Sequence, residues 1–265
     1  MNAPEKIDQL PDIQSSLDTR RLAIQKAGIR GMRHPVMVQT PTGAQPSVAD
    51  VEMTVGLPAE AKGTHMSRFI EVFQDHETPL GFESVKALMA KMLTRLEAVE
   101  GELIVRLPYF TRKQAPVSGV SSLMDYEMTW TVRQLEQSEV LLKMVVPVTS
   151  LCPCSKNISD YGAHNQRSHV TITARLNSEL SPEALIRVAE QAASCELWGL
   201  LKRPDEKYVT ERAYDNPKFV EDLVRDIALG LQRLACVDGF SVESENFESI
   251  HNHSAYAKIV HNFAD

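Results

Sequence analysis

No stretch of this chain approaches the roughly 18 consecutive apolar residues that a membrane-crossing helix requires, so no such span is expected. The first residues carry Glu5, Lys6 and Asp8 where a secretory leader would have an apolar core, and a cytoplasmic protein is expected. Positive charge is not in excess either. Lys and Arg total 28 against 35 Asp and Glu, a net charge of −7, which argues against a surface built to displace the counterions of nucleic acid. A phosphate-bearing ligand must instead meet a local basic pocket. Cysteine is sparse as well: Cys152, Cys154, Cys195 and Cys236 do not suggest a disulfide framework. Cys195 and Cys236 sit in apolar, helix-like surroundings and read as small buried hydrophobes. The close pair at 152 and 154 raises thiolate or metal chemistry.

What is present is enough apolar material, 43% of 265 residues, for one large core or two smaller ones. Residues 1–20 are polar and aperiodic and read as a loose arm. After it one pattern appears twice, over 21–137 and 138–265. The first copy shows strand-like runs at Gly31–Thr40 and Ser47–Leu57, then a helical stretch from Phe82 to about Glu100 whose Val85, Leu88, Met89 and Met92 recur at three and four. Strand-like Leu103–Leu107 and Ser122–Gln137 close it.

The second copy opens with the apolar run Val140–Val148 and the alternation of Val170, Ile172, Ala174 and Leu176. Ser181-Pro182 and Asn216-Pro217 then place a cap and a proline at the start of two amphipathic helices. Extended segments at Phe240–Phe247 and Ala255–Val260 finish it. Each half reads as two strands, helix, two strands, with the second helix of the first half weak. This is an α+β layer in which helices cover one face of an antiparallel sheet, and its open edges call for a partner.

The densest chemistry is Thr149-Ser150-Leu151-Cys152-Pro153-Cys154-Ser155-Lys156-Asn157, directly after the buried strand, with His164 ten residues past Cys154. Pro153 stiffens that loop, and Lys156 or a cation would favour a neighbouring thiolate. A second cluster, Glu243 to His253, holds three carboxylates and two imidazoles in eleven residues. In a straight strand His251 and His253 share one face and Glu248 the other, so convergence of Glu248 with His251 needs a bend near Ser249-Ile250. A third run, Lys202 to Arg212, reads either as a charged solvated loop or as a loop from which Glu206 reaches a metal. Glu221 carries the same ambiguity. Thiolate, imidazole and carboxylate together suit Zn²⁺ best among divalent transition metals, and three ligands with one open position define a catalytic site.

Three strings, in order, are Gly63-Thr64-His65-Met66-Ser67-Arg68-Phe69, then Ser150 to Lys156 with Tyr161-Gly162-Ala163-His164-Asn165-Gln166-Arg167-Ser168, then Glu248-Ser249-Ile250-His251-Asn252-His253-Ser254-Ala255. Together they resemble the type IB GTP cyclohydrolase I family, from about Gly31 to the C-terminus. The resemblance implies a tunnelling fold of tandem ββααββ units, a homotetramer with active sites between subunits, and a divalent metal, Zn²⁺ or Mn²⁺ with Fe²⁺ as a further option. It implies that GTP and water give formate and 7,8-dihydroneopterin triphosphate, the first step of tetrahydrofolate biosynthesis. It assigns Cys154, His164, Glu206 and His251 to the metal, with Glu206 and Glu248 able to exchange roles. Cys154, His164, Glu248 and Cys152 fall to catalysis, and Glu221 to the guanine edge. Arg68, Lys113, Lys156 and Arg167 are the cations available to a triphosphate. No nucleic-acid or membrane partner is expected. Two other readings remain open: a tunnelling-fold nitrile reductase using a cysteine and NADPH, and a structural zinc module closed by Cys152, Cys154 and His164.

Overall fold

Strand β1 (Ile24–Thr40) turns at Pro41-Thr42 into β2 (Gly43–Leu57), and Thr40 pairs with Gly43 across the turn. Gly31, at φ 74°, takes up an irregularity in register between Ile29 and Met32, a backbone shape that a side chain disfavours. Helices α1 (Met66–Gln74) and α2 (Phe82–Leu96) follow, then β3 (Gly101–Gln114) and β4 (Ser121–Gln134). The second half runs β5 (Ser138–Leu151), α3 (Pro153–Ile158), β6 (Asn165–Leu176), α4 (Pro182–Ala192), α5 (Arg203–Asp215), α6 (Val220–Leu231), β7 (Val237–Asn246) and β8 (Ala255–His261). This computed structural model describes Asp12, Gln14 and residues 16–263. Most of the arm expected over 1–20 lies outside the described residues. Within the described part, Leu17 bridges Ala61 and the Asp18 N–H donates to the Glu60 carbonyl at 2.9 Å.

All eight strands form one antiparallel sheet in sequence order, β1 to β8. Helix α2 lies across β3 and β4, α4 against β5, and α6 against β7 and β8, so the helices share one face. One continuous core fills the space between. Trp130, Tyr109, Phe69, Phe73, Phe240 and Met53 are its largest fully buried side chains. Burying a side chain of this class contributes about 1.5–3 kcal/mol, which is why the period-2 and period-3.6 patterns dominate the fold. The opposite face is polar. There Glu52 meets Arg30 at 2.7 Å, and Glu102 pairs with Lys26 and, at 2.8 Å, with Arg133. Among the described residues no helix is long and apolar enough to cross a membrane.

The differences from the sequence reading have local causes. The weak second helix of the first half is α1, a short helix that buries Phe69, Val72 and Phe73. Helix α2 stops at Leu96, four residues early, because Glu97 turns into the left-handed region at φ 54°. The run Lys202 to Arg212 is helix α5 rather than a loop. It has almost no apolar stripe and owes its start to Pro204 in the first turn and to Asp205, whose carboxylate accepts the Lys202 N–H at 2.8 Å. Cys195 is fully buried, but in a bridge after α4 rather than in a helix, whereas Cys236 is only half-buried, ahead of β7.

Candidate active site

Strand β5 delivers the chain into the site at Leu151, which pairs with Asn165 at the start of β6. Between them the chain is wired to itself. Cys152 is the N-cap of α3 and Pro153 its first residue, as proline's fixed φ favours. The Cys152 Sγ accepts the Ser155 N–H at 3.5 Å, and the Ser155 hydroxyl donates to the Cys152 carbonyl at 3.1 Å. The Cys152 N–H donates to the His164 carbonyl at 3.2 Å, and the His164 N–H returns to Ser155 Oγ at 3.3 Å. Gly162, at φ 113°, makes the turn that brings His164 back.

Beneath this loop Leu151, Cys195 and Ala213 form a small second core with Ala163, Trp198 and Val209. The Leu151 N–H donates to the buried Ser194 hydroxyl at 3.0 Å, and its carbonyl accepts the Lys218 N–H at 3.1 Å, which ties the start of α6 to the end of β5. Lys156 donates to the Tyr214 carbonyl and lies 4.2 Å over the Tyr214 ring, tying α3 to the end of α5. Burial pushes the Cys195 thiol up, so that cysteine packs and does not react.

The side chains meet on the far side of the loop. His164 Nδ1 is 3.0 Å from Gln166 Oε1, 3.3 Å from Ser249 Oγ and 4.0 Å from Glu248 Oε2. Gln166 Nε2 donates to Glu248 Oε1 at 3.1 Å. Strand β7 ends at Asn246, and bends over Ser249–His253 supply the turn that a straight strand would not allow. Cys152, His164 and Glu248 therefore sit on adjoining segments.

The other expected donors stand apart. Cys154 is exposed on α3, and His251 is exposed with its ring stacked on His253 at 5.3 Å. Glu206 is exposed in the first turn of α5, the end remote from Tyr214. Its neighbour Asp205 is fully buried and accepts the Val117 and Ser118 N–H groups at 2.8 Å each. Burial alone would raise the Asp205 carboxyl, but the Ser118 hydroxyl and these N–H donors hold it well below the usual carboxylate range. Among the described residues no three His, Cys, Asp or Glu side chains lie close enough to hold a metal ion.

Of the expected substrate contacts, Glu221 is exposed in the first turn of α6, next to the anchored end of β5. Arg167 lines a surface cavity of about 350 Å³ with Asp125, Glu127, Pro147 and His169. Lys113 is committed elsewhere, paired with buried Glu190 at 2.6 Å and with the Leu197 carbonyl at 2.7 Å. Arg68 lies 3.6 Å from Glu97, just after α2, and that end of the sheet is opposite to Leu151. The sequence reading passed over Gln166 and Ser249. Neither titrates or ligates, and the only signal was their place inside the strings that carry the resemblance.

A chain of this architecture, with an imidazole and a carboxylate joined through a buried amide where β6 begins and β7 has ended, is an enzyme on a tunnelling fold. A crystal structure of uricase from Arthrobacter globiformis shares that fold, with a TM-score of 0.54 at 10% identity over 89% of this chain and 92% of that one. The family model described as "Type I GTP cyclohydrolase folE2" matches residues 10–257, and the chain belongs to that family. GTP cyclohydrolase FolE2 1 of Dechloromonas aromatica is 59% identical over 98% of both chains. GTP cyclohydrolase FolE2 of Cupriavidus pinatubonensis is 60% identical over 94% of this chain and 93% of its own.

Proposed function

We propose that this chain opens the imidazole ring of GTP at carbon 8, releases formate and forms 7,8-dihydroneopterin triphosphate, the entry to tetrahydrofolate biosynthesis, in the cytoplasm. The observation that carries the reading is identity near 59% to a FolE2 GTP cyclohydrolase along almost the whole of both chains. The reaction needs a water made nucleophilic at neutral pH and groups that pass protons as the ring opens.

The residues fit a divalent metal by chemistry. A thiol from Cys152 or Cys154, the imidazoles of His164 and His251 and the carboxylate of Glu206 form a mixed donor set suited to Zn²⁺, and Mn²⁺ and Fe²⁺ are the other candidates. Among the described residues, Nε2 of His164 has no hydrogen-bond partner, whereas Nδ1 is engaged. When bound, such an ion supplies Lewis acidity and draws the pKa of water toward neutrality. Within the chain, Glu248 holds and passes protons at the reacting purine while His164 is held as a ligand, Glu221 takes the N–H edge of guanine, and Arg167, Lys156 and Arg68 offset the triphosphate. Arg68 belongs to the opposite end of its own sheet, which favours a site completed by a neighbouring subunit of a homotetramer. Strands β1 and β8 are the outermost strands of the described sheet, and outer strands are the surfaces through which such sheets can join.

The test is incubation of the purified full chain with GTP, metal-stripped and with Zn²⁺ or Mn²⁺ restored, following formate and the fluorescence of the oxidised pterin. One formate per GTP and a pterin signal that depends on metal are expected. NADPH oxidation without formate would identify a nitrile reductase instead, and full turnover in stripped protein would remove the metal from the proposal. Cys152→Ala and Cys154→Ala, compared for metal content, decide which sulfur ligates.

A further inference from the structure

We infer that Gln166 is a positioning residue that fixes the proton of His164 on Nδ1 and leaves the Nε2 lone pair free, with the charge of Glu248 setting the direction. The inference rests on the reading of His164 as a metal ligand. Gln166 is a buried polar side chain on β6, with only 8% of its surface exposed, so neither end of its amide can be left to water. One end lies 3.1 Å from Glu248 Oε1 and the other 3.0 Å from His164 Nδ1.

The assignment follows from what each group can do. The amide nitrogen, Gln166 Nε2, faces Glu248 Oε1 at 3.1 Å and donates to it, so that end is the NH₂. The end facing His164 is then the carbonyl oxygen, which can only accept, so His164 Nδ1 must carry its proton. Turning the amide over would set its oxygen against a carboxylate oxygen at 3.1 Å, two acceptors with no hydrogen between them. Ser249 Oγ, 3.3 Å from the same Nδ1, is a second acceptor for that proton and does not alter the outcome. In a neutral ring with the proton on Nδ1, Nε2 is a pure acceptor, the form an imidazole must take to bind a metal through that nitrogen.

Glu248 thus acts on His164 through an amide as well as through space. Its Oε2 stands 4.0 Å from Nδ1, too far for a hydrogen bond of its own. Methionine at 166 would match the length of glutamine but neither accept from the ring nor donate to the carboxylate. Glutamine at 248 offers both a donor and an acceptor, so it removes the charge that orients the 166 amide while keeping shape.

The experiment uses the metal-free full chain with ¹⁵N-labelled histidine, in the wild type and in Q166M, E248Q and H164A. The His164 ring signals are identified by their loss in H164A. A pyrrole-type Nδ1 and a pyridine-type Nε2 are expected in the wild type, and mixed tautomers in both Q166M and E248Q. Zn²⁺ affinity, measured by chelator competition, should fall about 10–100-fold in Q166M, the size usual for a group that orients a ligand, while the melting temperature of the metal-free protein holds. A wild-type proton on Nε2 would overturn the inference, and so would a pure Nδ1–H form persisting in Q166M with undiminished affinity. Should Q166M fail to fold, E248Q decides: a ring signal identical to that of the wild type there overturns the coupling. Undiminished Zn²⁺ affinity in H164A would overturn the ligand reading alone, and the ring signals would still judge Gln166.

Discussion

The two halves of the sheet are built to one plan and part company at their connections. Where β1 meets β2 the chain spends two residues, Pro41 and Thr42; where β5 meets β6 it spends Cys152 through His164, including α3. Helix α1 is followed directly by α2, but α5 stands between α4 and α6. The β3–β4 turn carries no titratable group, and the β7–β8 connection carries Glu248, His251 and His253. The residues proposed for chemistry thus cluster where the second half departs from the first. The repeated framework is occupied with burial, and the departures are free to present polar side chains at strand ends.

Substitutions can be chosen to break that division. The largest effect is expected from His164→Ala, which should lower formate release by more than the about 10–100-fold that disturbing a group orienting a metal ligand costs, because it removes the ligand itself, and leave the far-ultraviolet circular dichroism unchanged. A loss of folded structure would instead make the β5–β6 connection part of the framework. In the framework, Leu142→Ala on β5 removes a fully buried side chain between Trp130 and Ala174 and should cost about 2–5 kcal/mol in urea unfolding. The protein that stays folded should turn over at the wild-type rate.

Asp205 tests the border between the two regions, because it pins α5 to the β3–β4 turn. Its carboxyl is held below its ordinary value, so its stabilisation is complete above the unfolded carboxylate range and is lost as pH falls from that range down through the lower folded value. Asp205→Asn should therefore unfold at lower urea than the wild type at neutral pH, and the gap should begin to narrow below about pH 4 and shrink further as the pH is lowered. A gap that stays constant with pH would show that shape, not charge, makes the anchor. Smallest of all, Lys207→Ala breaks the exposed i,i+4 pair with Glu211 on α5 and should change stability by about 0.3–0.5 kcal/mol at most.

What the sequence makes legible follows the same line. Strands β5 and β6 and helices α4 and α6 announce themselves because each must hide one face, and hiding leaves a period. Helix α5 leaves none: its buried residues are Asp205 and Ala213, and its first turn is set by a carboxylate answering backbone N–H groups from another hairpin. The same holds at the site. His164 and Glu248 stand out by chemistry, but that they meet depends on the bend after Asn246, and Gln166, which touches both, is a neutral residue in an alternating strand. A pairwise contact across 82 positions has no trace in local composition.

Each strand pairs only with its neighbours in sequence, and five of the seven ladders close over short connections, whereas β2–β3 and β6–β7 wait for the helical segments 58–100 and 177–236. The entropy of loop closure is smallest for those five, and it grows only slowly with length for the other two. The first four strands with α1 and α2 can therefore assemble while the rest of the polypeptide is still being synthesised, offering the edge of β4 as the template on which β5 is laid.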